Sequence, residues 1–192
     1  MSRARYGGSP EDFWGALRGV WLAPGEFFAG LDQDAGFVRP TVFAAMVLYL
    51  NLVLGEALQA IWIREFNAGF IYVLFFGLVV SLILAPFLVS ALAVLVQVIH
   101  SGSPSRRDFR PLYRHLSYAT GIGIVLWIPF GPFLAIPYGA YVISKAVKAA
   151  LNTDGRRAAA AALIPLAAVL AILLLLTGPT EAYELLKNPP GS

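Results

Sequence analysis

Between Gly69 and His100 the chain runs 32 residues without one Asp, Glu, Lys or Arg. As a helix rising about 1.5 Å per residue, that run is roughly 48 Å long. A hydrocarbon core of about 30 Å is the medium it suits. Tilt, a bend at Pro86 or a separate outer segment before Gly77 would each absorb the surplus. The rest of the composition points the same way. Of 192 residues, 58% are hydrophobic and 13% charged, where soluble domains are about one-quarter charged. There is no cysteine, which excludes disulfides, thiolate metal sites and cysteine nucleophiles. A formal charge of +3 would hint at nucleic acid in a soluble chain. Here the basic residues flank apolar runs, so the positive-inside rule explains them and nucleic acid is not an expected partner.

In chain order, residues 1–8 are polar and glycine-rich and read as a disordered lead. Residues 9–39 read as an amphipathic cytoplasmic or interfacial segment. Ser9 suits an N-cap and Pro10 the first helical position. Phe13, Trp14, Leu17, Val20 and Trp21 then follow at one-sided helical spacing. Ala23-Pro24-Gly25 breaks the pattern, and Phe27, Phe28 and Leu31 give a second short face. The aromatic members Phe13, Trp14, Trp21, Phe27 and Phe28 suit the headgroup boundary. The alternative is that the segment packs on the cytoplasmic ends of the spans.

Five spans are expected, over 40–63, 69–100, 112–128, 133–151 and 158–177, followed by an extracytoplasmic tail, 178–192. No cleavable signal peptide is apparent, because the first long apolar run begins near Pro40 behind a charged, aromatic segment. The expected fold class is all-α: a polytopic membrane helical bundle with five transmembrane helices plus an N-terminal amphipathic interfacial helix. Spans three and four form a hairpin turned at Pro129–Pro132.

Lys and Arg, counted from the N-terminal segment through each connection to the tail, run 4-1-4-0-4-1. That alternation puts the N-terminus in the cytoplasm and the C-terminus outside an inner membrane. Arg106, Arg107, Arg110 and Arg114 are the densest basic group, suited to fixing topology and to meeting anionic headgroups. A re-entrant hairpin whose tip stops short of the far side would give the same counts.

Chemical templates are sparse. A metal site wants three or four ligands; beside His100 and His115 the best candidate carboxylate is Asp108, and a third protein ligand is missing. No metal, cofactor or catalytic residue is expected. Glu56 is the most informative polar residue, ionisable inside a span with Asn51 and Gln59 on the same helix. A functional role would be cation binding, proton relay or holding a polar substrate. A structural role would be hydrogen bonding across helices, for instance to Tyr138 or Tyr141. Small residues four apart, Ala135/Gly139 and Ala140/Ser144, allow close helix approach.

Trp21-Leu22-Ala23-Pro24-Gly25-Glu26-Phe27-Phe28, then Arg39-Pro40, resembles the entry to the first span in the Yip family. Arg110-Pro111-Leu112-Tyr113-Arg114-His115-Leu116-Ser117-Tyr118 and Ile128-Pro129-Phe130-Gly131 resemble its third span and break. The resemblance covers about residues 13–177. It implies five-span proteins that, in eukaryotes, associate with Rab-type GTPases and act in vesicle traffic and membrane shaping, without known catalytic residues. The short polar lead departs from the long cytoplasmic domain of eukaryotic members, which puts Rab binding in doubt and implies a prokaryotic-type member. The expected function is a non-enzymatic membrane protein that organises partners or membrane shape. The alternative is a small transporter or channel using the polar residues of the first span. The expected partners are the lipid bilayer and a second copy or another membrane protein.

Overall fold

A computed structural model describes residues 12–32, 36–63, 68–101, 106–128, 130–164 and 167. All regular structure among them is helical. The elements are α1 (Phe13–Leu22), α2 (Pro24–Ala29), α3 (Val38–Ile63), α4 (Ala68–Ser101), α5 (Arg106–Ala119), a 3₁₀ segment (Thr120–Val125) and α6 (Gly131–Leu151). A further helical stretch covers 155–164.

Local chemistry sets these boundaries. The Asp12 carboxylate accepts the Gly15 N–H, so α1 starts at Phe13 with Asp12 as its N-cap. Ser9 and Pro10, the expected start, lie outside the described residues. Pro24 opens α2, where its missing N–H costs nothing.

α3 and α4 begin and end within two residues of the first two expected spans. They are the two helices among the described residues long and apolar enough to cross a bilayer. In a soluble core such helices would be mostly buried. Here just 22% and 28% of their most apolar windows are buried inside the protein. Most of the remaining α3 positions are half-buried, while α4 leaves a long series of large apolar side chains exposed, Ile71, Phe75, Val79, Ile83 and Phe87 among them. α4 touches its neighbours through a narrow stripe of Gly77, Ser81, Ala85, Val89 and Ala93, one residue in every four. A Cβ on Gly77 would lie 3.4 Å from the Tyr49 ring of α3.

The third expected span is built differently from its reading. α-helix stops at Ala119 and winds on as the 3₁₀ segment through Val125. Thr120 Oγ1 donates to the Ser117 carbonyl at 2.6 Å. Two glycines, poor helix formers, then fall in the next four positions. Gly121 leaves room for Phe43 of α3, whose ring would lie 3.1 Å from a Cβ there. With Arg110 and Arg114 in α5 and Lys145 and Lys148 in α6, neither hairpin arm matches the apolar length of α3 or α4.

The hairpin turns through Phe130, at φ 67°, a left-handed conformation that a bulky side chain seldom adopts. The Gly131 N–H then donates to the Ile128 carbonyl at 2.8 Å. α6 ends at Asn152, also left-handed at φ 50°, with its N–H on the Lys148 carbonyl. The last expected span is described as helix over 155–164; most of its remainder and all of the tail lie outside the described residues.

Two apolar clusters hold the bundle together. One joins Val20, Phe27 and Phe28 to Phe43, Tyr118 and Val142. The other joins Ala45, Val89 and Val96 to Leu112, Leu116, Val147 and Ala158.

Candidate functional site

The N-terminal helices are seated on the hairpin. Val20 and Phe28 are fully enclosed. Phe28 stacks on the His115 ring at 5.9 Å, and Phe27 meets Tyr118 edge-on at 5.5 Å. Gly19 makes this seat: a Cβ there would overlap the Phe27 ring. Trp21 engages both arms. Its indole N–H donates to the Gly121 carbonyl at 3.0 Å. Its own carbonyl accepts the Tyr138 hydroxyl, and the two rings lie 5.5 Å apart. Of the five aromatic residues read as interfacial, Phe27 and Phe28 are buried, Phe13 and Trp21 are half-buried, and Trp14 is 65% exposed.

Beneath this seat, α5 buries the side chains of Arg114, His115 and Ser117. His115 is 1% exposed, with Nδ1 2.6 Å from the Pro111 carbonyl and Nε2 3.2 Å from the Phe28 carbonyl. Both ring nitrogens face backbone oxygens, so neither is directed to a metal. Among the described residues no group of three or more His, Asp or Glu side chains gathers. The expected basic group is not a single surface. Arg110 lies over the Phe37 ring at 5.4 Å and is exposed. Arg114 is 4% exposed, and its Nε and Nη1 are buried without a hydrogen-bond partner. The side chains of Arg106 and Arg107 lie outside what is described. The Tyr113 hydroxyl, 2.7 Å from Thr41 Oγ1, sets this part of α5 level with the first turn of α3.

The three polar residues of the first span separate. Asn51 Nδ2 donates to the Val47 carbonyl at 2.9 Å, while its Oδ1 is buried without a partner. Asn51 lines an apolar cavity of about 390 Å³ between α3, α4, the 3₁₀ segment and α6. Small side chains open that space, among them Ala44, Ala85, Gly123, Ala135 and Gly139. Glu56 is half-buried without a partner among the described residues, Gln59 is exposed, and neither lines the cavity. At about 100° per residue, Glu56 sits about 140° around the helix from Asn51. One shared polar path is therefore not built. Tyr138, considered as a partner for Glu56, gives its hydroxyl to Trp21 instead.

At the far end of α6, Asp154 caps the next helix. Its Oδ1 accepts the N–H groups of Arg156 at 2.6 Å and Arg157 at 3.1 Å. Those bonds hold its carboxyl below the ordinary carboxylate range.

Sequence alone missed the Trp21 bridge and the α3–α6 cavity. Their sole trace was the helical spacing of Trp21 and the small residues at 135 and 139. A family model described as the Yip1 domain matches residues 18–176. No curated protein and no solved structure matches the chain.

Proposed function

Because the chain belongs to the Yip1 domain family, we propose that it is a non-enzymatic, five-span protein of an inner membrane that organises protein partners or membrane shape. In this reading the N-terminus and the basic connections face the cytoplasm, and the C-terminus lies outside. The spans are those of the sequence, with α3, α4 and the exposed tip-side faces of the hairpin arms meeting lipid. A second copy or another membrane protein is the partner class.

The observation that carries the reading is the seat of α1 and α2. Trp21 bonds to both hairpin arms, so the N-terminal helices form a fixed platform rather than a loosely tethered anchor. Trp14 projects from that platform. A fixed aromatic projection suits recognition, since its geometry is set before a partner arrives.

A photo-crosslinking residue at Trp14, in native membranes, tests this. Reproducible crosslinks to one membrane-protein species or to the chain itself are the expected result. Liposome flux that disappears in Glu56→Gln, with no such crosslink, would replace the reading with transport.

A further inference from the structure

A second cavity, of about 400 Å³, lies between α2 and the last turn of α6. Gly25, Phe28 and Leu31 line one part, and Lys145, Lys148 and Asn152 another. The two lysines are three residues apart and so share a helix face. Lys145 is half-buried, its ammonium 5.2 Å from the centre of the Tyr141 ring; Lys148 is exposed.

Neither lysine has an ion-pair partner among the described residues. Asp154 acts on Lys148 at a distance, but its Oδ1 is committed to the N–H groups of Arg156 and Arg157. Glu26 follows Gly25 in α2 and is paired with neither lysine. The C-terminal dipole of α6 would oppose an anion. That opposition is reduced where the Lys148 carbonyl already accepts the N–H groups of Asn152 and Thr153. What remains is a recess lined by two lysines outside any direct ion pair, with Gly25 and Ala29 on the α2 side and the buried Phe28 and Leu31 behind them. Its chemistry suits an anion attached to something apolar.

We propose that this recess receives the phosphate headgroup of an anionic membrane phospholipid, with Lys145 and Lys148 supplying the charge and α2 forming the apolar wall. The proposal rests on the reading above that this end of the hairpin lies at the cytoplasmic bilayer surface. A lipid held here touches both α2 and α6, so it fastens the N-terminal platform to the hairpin.

Native mass spectrometry of the full chain in detergent, titrated with phosphatidylglycerol or phosphatidylcholine, tests the proposal. Phosphatidylglycerol is expected to bind more tightly. Lys145→Gln with Lys148→Gln is expected to weaken it about twenty-five-fold, at about five-fold per basic residue. Lys145→Arg with Lys148→Arg should retain it, which separates lost charge from lost folding. Arg156→Gln with Arg157→Gln removes the same charge outside the recess and should also retain it. Equal weakening by the two glutamine pairs would overturn the proposal in favour of diffuse surface charge. Displacement of the lipid by inorganic phosphate would overturn it in favour of a soluble anion. Failure of Trp14 to crosslink leaves these measurements untouched, so the two readings fail separately.

Discussion

The indole N–H of Trp21 and the carbonyl of Gly121 meet at 3.0 Å although 100 residues separate them in the chain. Gly121 lies where α5 has become 3₁₀ helix, so the N-terminal segment is bonded to the irregular part of the hairpin. Tyr138 completes the bridge from the other arm. Trp21→Phe and Tyr138→Phe each remove one hydrogen bond and keep a ring in place. Each is expected to cost about 0.5–1.5 kcal/mol. In a double-mutant cycle followed by denaturation in detergent, their coupling should exceed about 0.5 kcal/mol, because both act on one residue. Strict additivity would show that the Trp21 and Tyr138 rings, 5.5 Å apart, are not coupled.

Gly131 predicts a larger effect at the tip. A Cβ there would collide with the Val125 carbonyl oxygen, a backbone atom that cannot swing aside. Gly131→Ala is expected to lose about 1–3 kcal/mol. Gly25→Ala, with nothing within 4 Å of the added carbon, should stay within about 0.5 kcal/mol of the parent. Thermal melts of the two variants side by side check the contrast; equal losses would contradict the tip geometry.

The outer helices were legible for a plain reason. Long apolar runs with at most one charged residue read as continuous helices, so 40–63 and 69–100 became Val38–Ile63 and Ala68–Ser101. The hairpin arm 112–128 was not legible in the same detail. An apolar run reads alike whether it winds as α or as 3₁₀ helix, and the change at Thr120 depends on what packs against it. Charge counting likewise assigns a side but no depth, so it could not separate exposed Arg110 from buried Arg114. Helical spacing showed that Trp21 belonged to an apolar face. The identity of the opposing carbonyl, 100 residues away, is set by tertiary packing alone.

Arg114 gives a prediction that runs against intuition. A guanidinium stays charged at any working pH. Burying its Nε and Nη1 without hydrogen-bond partners costs free energy. Arg114→Met keeps much of the length and removes the charge, so it is expected to match or exceed the parent in stability, by up to about 1–4 kcal/mol. Chemical denaturation in detergent measures this. A marked loss would mean that the buried charge is compensated.

Asp154 sets a pH dependence. Its carboxyl is held below the ordinary range by the backbone N–H groups of Arg157 and Arg156. A depressed folded pKa gives stability that is present above the unfolded value and disappears as pH falls through the folded one. Asp154→Ala should therefore melt below the parent at neutral pH, with the gap closing under more acidic conditions than about pH 4. Melting curves at neutral and strongly acidic pH test this; a gap unchanged by acid would rule out the charged cap.

The tip also decides the span count. Gly131 is a poor labelling site because its added side chain would collide, whereas Phe133 is 76% exposed. Phe133→Cys in this cysteine-free chain is expected to react with an impermeant thiol reagent from outside intact cells. Reaction solely after permeabilisation would make the hairpin re-entrant and reduce the five spans to three.

The stripe on α4 has a geometric consequence. A residue repeated every four positions advances about 40° per step on a helix of 3.6 residues per turn. From Gly77 to Ala93 the buried stripe therefore winds about 160° around the helix. Gly77 meets α3 at one end, and Val96, just past the other, joins the cluster holding Leu112 and Leu116 of α5. The outward apolar face winds with it, like the thread of a screw. A neighbouring helix that follows this face must cross α4 obliquely; one laid parallel would lose register with the thread after about two turns.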